Sequence, residues 1–445
     1  MLHSDIIIIG SGPGGYKAAE YAAKNGLSVT LFEQSELGGT CLNTGCIPTK
    51  TFCRHAAVLR DLQHADTFGI KNLSYEFQFS AVQQRKQGVV EQLRQGVATL
   101  LAAPGITIVR ERASFADTHT VVAGGKEYSA QHIIIATGSS PKLLPIEGAE
   151  LEGVLTSSEM LSIDHVPRRL CIIGAGVVGM EMASCFAAFG SEVTVVEFQK
   201  ECLPMLDSDI AKRLRKAVPA EIHVQSAVSK IERSADGSLT VLFEKKGKPQ
   251  SVCADIVLLA TGRIPNTDGL NLEAVGVAYD RNGIKTNENM RTTVPHIYAI
   301  GDVNGRCMLA HAATMQGIHV VNILLGMQDE IEFGIMPSAI FTMPEAGCVG
   351  VSEDQCKEQG LDYVCRKAYY RANGKALAMN ETEGMLKLLA DSQTGRIMGC
   401  HIFGAHAADI VQEVSSLMCR QTTLQQLHDM IHIHPTLGEI LHDIR

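Results

Sequence analysis

Short apolar runs alternate with longer stretches of helical spacing along most of this chain, a pattern that predicts parallel sheets covered by helices rather than a β-sandwich. Two segments share one layout. DIIIIGSGPGGYKAAEYAAKNGLSVTLFE at 5–33 and LCIIGAGVVGMEMASCFAAFGSEVTVVE at 170–197 each read strand, glycine turn, helix, strand and terminal acid. Gly10 to Glu33 and Gly174 to Glu197 have the same spacing, which predicts one βαβ unit used twice. Each copy has a later strand ending in the same tripeptide, HIIIATG at 132–138 and DIVLLATG at 255–262. Two Rossmann-like dinucleotide-binding domains of α/β class follow. Residues 53–104 have helical apolar spacing and are expected to pack on the first domain. From about Pro337 the pattern turns to strands and hairpins, in FTMPEAGCVGV, RKAYYRANGKALAM and GMLKLLADSQTGRIMGCHIFG, before two closing helices. This α+β region has no glycine fingerprint, and its sheet and apolar helices predict a dimerisation domain.

Composition narrows the choice of partners. A chain of 445 residues exceeds what one hydrophobic core usually organises, in keeping with several domains. The formal charge of −9, with no basic run, excludes nucleic acid and anionic membrane surfaces as partners. No apolar stretch reaches membrane-spanning length. The first strand begins almost at once, leaving no room for a signal peptide, so a cytoplasmic protein is expected. Thirteen cysteines cannot all pair within one chain, and most are expected to be reduced. Cys171, Cys185, Cys253 and Cys400 lie in or beside apolar runs, where a thiol behaves as a small hydrophobe.

Each glycine fingerprint suits a dinucleotide. Gly10 permits the tight turn, Gly12 lets the backbone approach a pyrophosphate, and Gly15 allows helix and strand to pack closely. The helix that follows receives the phosphates at its N-terminus. Glu33 is placed to accept from a ribose 2′-hydroxyl. Gly174, Gly176, Gly179 and Glu197 repeat the logic. An acid at 197, followed by FQK with no arginine pair, favours NAD over NADP, whose 2′-phosphate would meet a like charge.

The chemistry comes from GGTCLNTGCIPTK, where Cys41 and Cys46 are close enough in sequence to reach disulfide geometry. In a reducing compartment such a pair is more often redox-active or metal-binding than a structural staple. Zinc would need two further ligands at a recognisable spacing, and no neighbouring Cys or His supplies them, so no metal is expected. Among sixteen histidines, His434 stands out. Pro435 stiffens its backbone, and Glu439 follows at a predicted helix start, where its carboxylate can orient the imidazole; His432 is the competitor.

GGTCLNTGCIPTK resembles the active-site segment of the class I pyridine nucleotide-disulfide oxidoreductases. The similarity continues through ATG at 136–138, ATGRIPN at 260–266, YAIGD at 298–302, LAHAA at 309–313 and HPTLGE at 434–439. It implies that residues 1–141 and 264–333 form an FAD-binding domain, 142–263 an NAD-binding domain and 334–445 an interface domain. Carried over by position, Cys41 is the interchange thiol and Cys46 the thiol facing the flavin. Lys50 lies near the flavin and pairs with Glu181. Gly10, Gly12, Gly15, Glu33, Thr40, Thr137, Gly138, Asp302 and Ala310 bind FAD, and Gly174, Gly176, Gly179, Glu197 and Gly262 bind NAD. His434 and Glu439 serve the active site of the other subunit in a homodimer. Within the family the match is to the branch that oxidises protein-bound dihydrolipoamide. The lipoyl group would arrive on another protein, a 2-oxo acid dehydrogenase acyltransferase or a glycine-cleavage carrier. Glutathione-type and mercuric-type reductases are the related alternatives, and a non-catalytic flavoprotein scaffold is the alternative from another class. The segment LAHAATMQG departs from the family at Met315 and Gln316.

Overall fold

The computed structural model describes residues 2–444 and resolves into two compact units. The first comprises Met1–Thr51, Ser80–Lys142 and Gly262–Ile331. Its sheet is parallel at the centre, in the order Ile106–Val109, Val29–Phe32, Leu2–Ile9 and Lys126–Ile135, with Ile297–Ala299 joining the far half of the last strand. Ile6 to Ile9 are buried, since helices cover both faces of a parallel sheet and leave no polar side to alternate with. The register sets Ile9 beside both Phe32 and Ile135, so the central strands end level, where the fingerprint turn begins. Helices Pro13–Lys24 and Ala310–Leu324 run side by side in the same direction. Thr314 donates to the carbonyl of Pro13 at one end, and the Tyr21 hydroxyl to Asn322 at the other, 2.9 Å away.

The second unit comprises Phe52–Phe79, Leu143–Thr261 and Glu332–Arg445. Its parallel sheet runs Glu221–His223, Glu192–Val196, Arg169–Ile173, Ile256–Leu259 and Val154–Thr156. The three middle strands repeat the order of the first unit, with the fingerprint strand between its βαβ partner and the strand that ends in ATG. A separate five-stranded antiparallel sheet is built from Ser338–Ile340, Ala346–Gly350, Ile397–Phe403, Met385–Asp391 and Tyr363–Tyr369, with helix Ala407–Cys419 packed on it. Lys387, in this sheet, is fully buried between Asp207 (2.6 Å) and Glu353 (2.7 Å). Its ammonium holds the Glu353 carboxyl down to about 2.

Three expectations change. The stretch 53–104 divides, because Phe52 and Phe79 join Phe186 and Phe189 in one aromatic cluster, with ring centroids 5.8 Å apart for Phe52 and Phe189. This draws residues 52–79 into the second unit, while the rest of helix Phe79–Leu101 stays with the first. Within RKAYYRANGKALAM, Gly374–Met379 is a short helix, started by the Asn373 side chain accepting from the Ala376 N–H. Cys171, Cys185 and Cys400 are buried, but Cys253 is exposed, because strand alternation turns its neighbours Val252 and Ala254 inward instead. Among the described residues no helix is long and apolar enough to cross a membrane.

Candidate active site

Both fingerprints adopt the same local geometry. Gly10 and Gly174 each sit at φ +107°, a left-handed conformation that L side chains rarely adopt. Gly15 and Gly179 press so closely on the carbonyl oxygens of Gly10 and Gly174 that a Cβ would overlap them. At Gly12 and Gly176 an added Cβ would meet nothing within 4 Å, so both turns face open space. The acids match too. Glu33 accepts from the Ser11 N–H (3.0 Å), the Ser11 hydroxyl (2.6 Å) and the Ser35 N–H (2.8 Å). Glu197 accepts from the equivalent backbone positions, Ala175 (2.5 Å) and Gln199 (2.6 Å). Each buried carboxylate is thus fixed across its turn with lone pairs left for a ribose hydroxyl. These features fit a dinucleotide. In the first unit two helix N-termini, at Pro13 and Ala310, lie together where its phosphates would sit.

The rest of the first cradle is a network that sequence reasoning only partly reached. The Thr137 hydroxyl donates to the Asn266 carbonyl (2.7 Å), and the Asn266 side chain returns a bond to the Thr137 carbonyl (3.0 Å). Ser139 donates to Asp302 (2.5 Å) and accepts from Arg263 (2.7 Å), whose guanidinium burial pushes below its usual range. Ser139, Arg263 and Asn266 were not among the expected site residues. Arg263 and Asn266 stand inside ATGRIPN, where position alone could have drawn attention to them. Gly138 (φ +70°) and Gly262 (φ +105°) close the two ATG turns. Gln316 is buried and accepts from the Gly301 N–H (2.8 Å) and the Asn304 side chain (3.0 Å), on either side of Asp302. Met315 beside it is exposed. Gln316→Leu leaves the Gly301 N–H buried without its acceptor, while the Asn304 amide keeps its bond to the Ala299 carbonyl (3.0 Å), and is expected to cost about 1–3 kcal/mol of stability in denaturant titration. An unchanged midpoint would show that the Asp302 turn is held by other contacts.

Cys41 and Cys46 form a disulfide, with Cα atoms 4.6 Å apart. The short helix Gly39–Thr44 carries Cys41, Gly45 breaks the chain direction, and Cys46 opens the 18-residue helix Cys46–Gln63. Thr40 is exposed beside Cys41. A sulfur at a helix N-terminus is stabilised as thiolate. Lys50 follows one turn later on the same helix face. Glu181 lies in the second unit, buried on helix Val177–Phe189, where it accepts from the Phe341 N–H at 2.9 Å.

His434 and His432 point to different fates. His434 is 79% exposed, and its Nδ1 lies 2.9 Å from Glu439, which also accepts from the Thr436 N–H at 2.8 Å. Those two donors hold the Glu439 carboxyl below its usual range, the backbone N–H first. Because a carboxylate only accepts, Nδ1 carries the hydrogen and Nε2 keeps its lone pair toward solvent. His432 is turned inward, 3.2 Å from Glu413, and its buried Nδ1 has no hydrogen-bond partner among the described residues. Among the described residues, no group of three or more His, Cys, Asp or Glu is arranged to hold a metal ion.

Comparison with known proteins adds the family. The profile of the pyridine nucleotide-disulphide oxidoreductases matches residues 4–317, and that of their dimerisation domain matches residues 336–445. The chain belongs to this family. It is therefore an oxidoreductase of a family whose members use FAD and NAD(H), and it carries the family's dimerisation domain. A dihydrolipoyl dehydrogenase of Bacillus subtilis is 40% identical over 99% of this chain and 95% of its own length. One from Chlamydia muridarum is 37% identical over 98% and 95%. Among solved structures, the HOCl-induced flavoprotein disulfide reductase RclA from Escherichia coli superposes with a TM-score of 0.88, at 31% identity over 99% of both chains.

Proposed function

We propose that the chain oxidises protein-bound dihydrolipoamide to lipoamide and reduces NAD. The observation that carries this reading is the Cys41–Cys46 disulfide at the start of a long helix, directly after a dinucleotide fingerprint. Full-length similarity to dihydrolipoyl dehydrogenases supports the choice of dithiol. In this reading residues 1–141 and 264–333 bind FAD, 142–263 bind NAD, and 334–445 form the interface of a homodimer in the cytoplasm.

One substrate thiol gives its proton to Nε2 of His434, and the resulting thiolate attacks Sγ of Cys41. Cys46 leaves as a thiolate, favoured by its helix N-terminus and by the charge of Lys50 one turn away. The second substrate thiol attacks the mixed disulfide and its proton passes to the Cys41 sulfur it displaces, which closes the cyclic disulfide product and leaves Cys41 as a thiol, Cys46 as a thiolate and His434 protonated. Glu439 holds the imidazole through Nδ1 and stabilises it once protonated. Gly12, Glu33, Thr137, Gly138, Asp302 and Ala310 would hold the flavin, and Gly176, Glu197 and Gly262 the nicotinamide dinucleotide. When bound, FAD would supply the redox chemistry that links the dithiol to NAD.

The test is a steady-state comparison of dihydrolipoamide with NAD, glutathione disulfide with NADPH, and Hg²⁺ with NADPH. Turnover with dihydrolipoamide and NAD is expected to exceed the others by orders of magnitude. A preference for either of the other pairs would replace this reading, and a yellow protein blind to all dithiols would be a scaffold. Glu197→Gln is expected to raise the KM for NAD about tenfold, the scale of one charge-assisted hydrogen bond, while NADP use changes less. Equal losses for both would remove the ribose contact.

A further inference from the structure

Helices Cys46–Gln63 and Val177–Phe189 bring together two more sulfurs. Cys53 and Cys185 place their Sγ atoms 3.5 Å apart within the second unit, 132 residues apart in sequence. A disulfide bond is about 2.05 Å long, so closure needs the two sulfurs to approach by about 1.5 Å. The helices are held in this register by their neighbours. Phe52 and Phe186, each adjacent in sequence to one of the cysteines, are fully buried and meet in the aromatic cluster with Phe79 and Phe189. The two thiols differ in access, Cys185 being buried and Cys53 half-buried.

We propose that Cys53 and Cys185 form a second redox centre, a dithiol that hydroperoxides convert to a disulfide. The accessible Cys53 attacks the peroxide oxygen as thiolate, the O–O bond breaks, and the alcohol or water leaves with a proton, giving a sulfenic acid. The Cys185 sulfur then attacks that sulfenic sulfur, and water leaves as the S–S bond forms. Two thiols thus lose two electrons to one O–O bond. The closed bond would tie the helix that begins at Cys46 to the helix that carries Glu181, and a loop of this length strongly restricts the unfolded chain. This centre is independent of the dihydrolipoamide reading, since it involves neither Cys41 nor Cys46.

The experiment uses the full chain with Cys41→Ser and Cys46→Ser, treated with hydrogen peroxide, alkylated and digested without reductant. The expected product is one linked peptide pair joining Cys53 to Cys185, lighter by two hydrogens than its thiol components and lost on adding dithiothreitol. Thermal unfolding of the oxidised protein should move up by several degrees and return on reduction. With Cys53→Ser added, a conservative change at the half-buried member of the pair, both effects should vanish. Recovery of Cys53 and Cys185 without a mutual link, at a dose that oxidises other thiols, overturns the proposal. So does a link from Cys53 to a different cysteine, or a thermal shift that persists in Cys53→Ser.

Discussion

Cys46→Ser is expected to lower dihydrolipoamide-dependent NAD reduction by on the order of 10⁴-fold or more, the scale of deleting an enzyme's reacting nucleophile, while the protein stays yellow. A serine oxygen cannot close a disulfide with Cys41, so the resting enzyme would have no bond for the substrate thiolate to break. Swapping sulfur for oxygen changes volume little, and the groups expected to hold the flavin are untouched. Glu33 keeps its bonds from Ser11 and Ser35, and Asp302 keeps its bond from Ser139. Flavin stoichiometry from the visible spectrum and turnover from NADH absorbance check the two halves separately. Cys41→Ser should match the loss. A colourless Cys46→Ser protein would place the sulfur in cofactor binding, and retained turnover would remove the disulfide from the chemistry.

What could be read from the chain beforehand was whatever is local or repeated. The spacing from Gly10 to Glu33 recurs at Gly174 to Glu197, and both βαβ units form with the same φ at their first glycine and matching backbone N–H partners on their acids. The disulfide was legible because its two sulfurs lie in one short segment. Contacts that join distant segments carry no such signal. Arg263 reaches Ser139 across 124 residues, and nothing in ATGRIPN says that its guanidinium will point there. Cys185 reads as a small hydrophobe from its neighbours, which is true of its burial, yet its nearness to Cys53 exists only after folding. The grouping of residues 52–79 with the second unit was hidden for the same reason, since Phe52 and Phe79 look like ordinary core positions until Phe186 and Phe189 are set against them.

His434→Gln is expected to slow dithiol oxidation by roughly 10²-fold or more, the usual loss for a general base. Gln can donate its amide to Glu439 but has no group that takes a proton from a thiol. His432→Gln is the control, because His432 faces Glu413, and it should leave turnover within about twofold, as expected away from the proton-transfer site. Equal losses in both variants would mean that the loop, and not the imidazole, is at fault. The pair of variants also tests whether the base acts across subunits. In a dimer of one Cys46→Ser chain and one His434→Gln chain, action in trans leaves one site with both an intact disulfide and an intact base. The other site lacks both. Random exchange makes half the dimers mixed, so combining the two inactive proteins should restore about a quarter of wild-type turnover. Action within one chain restores none, since neither chain then holds a complete site, and that outcome would make His434 serve its own subunit's disulfide.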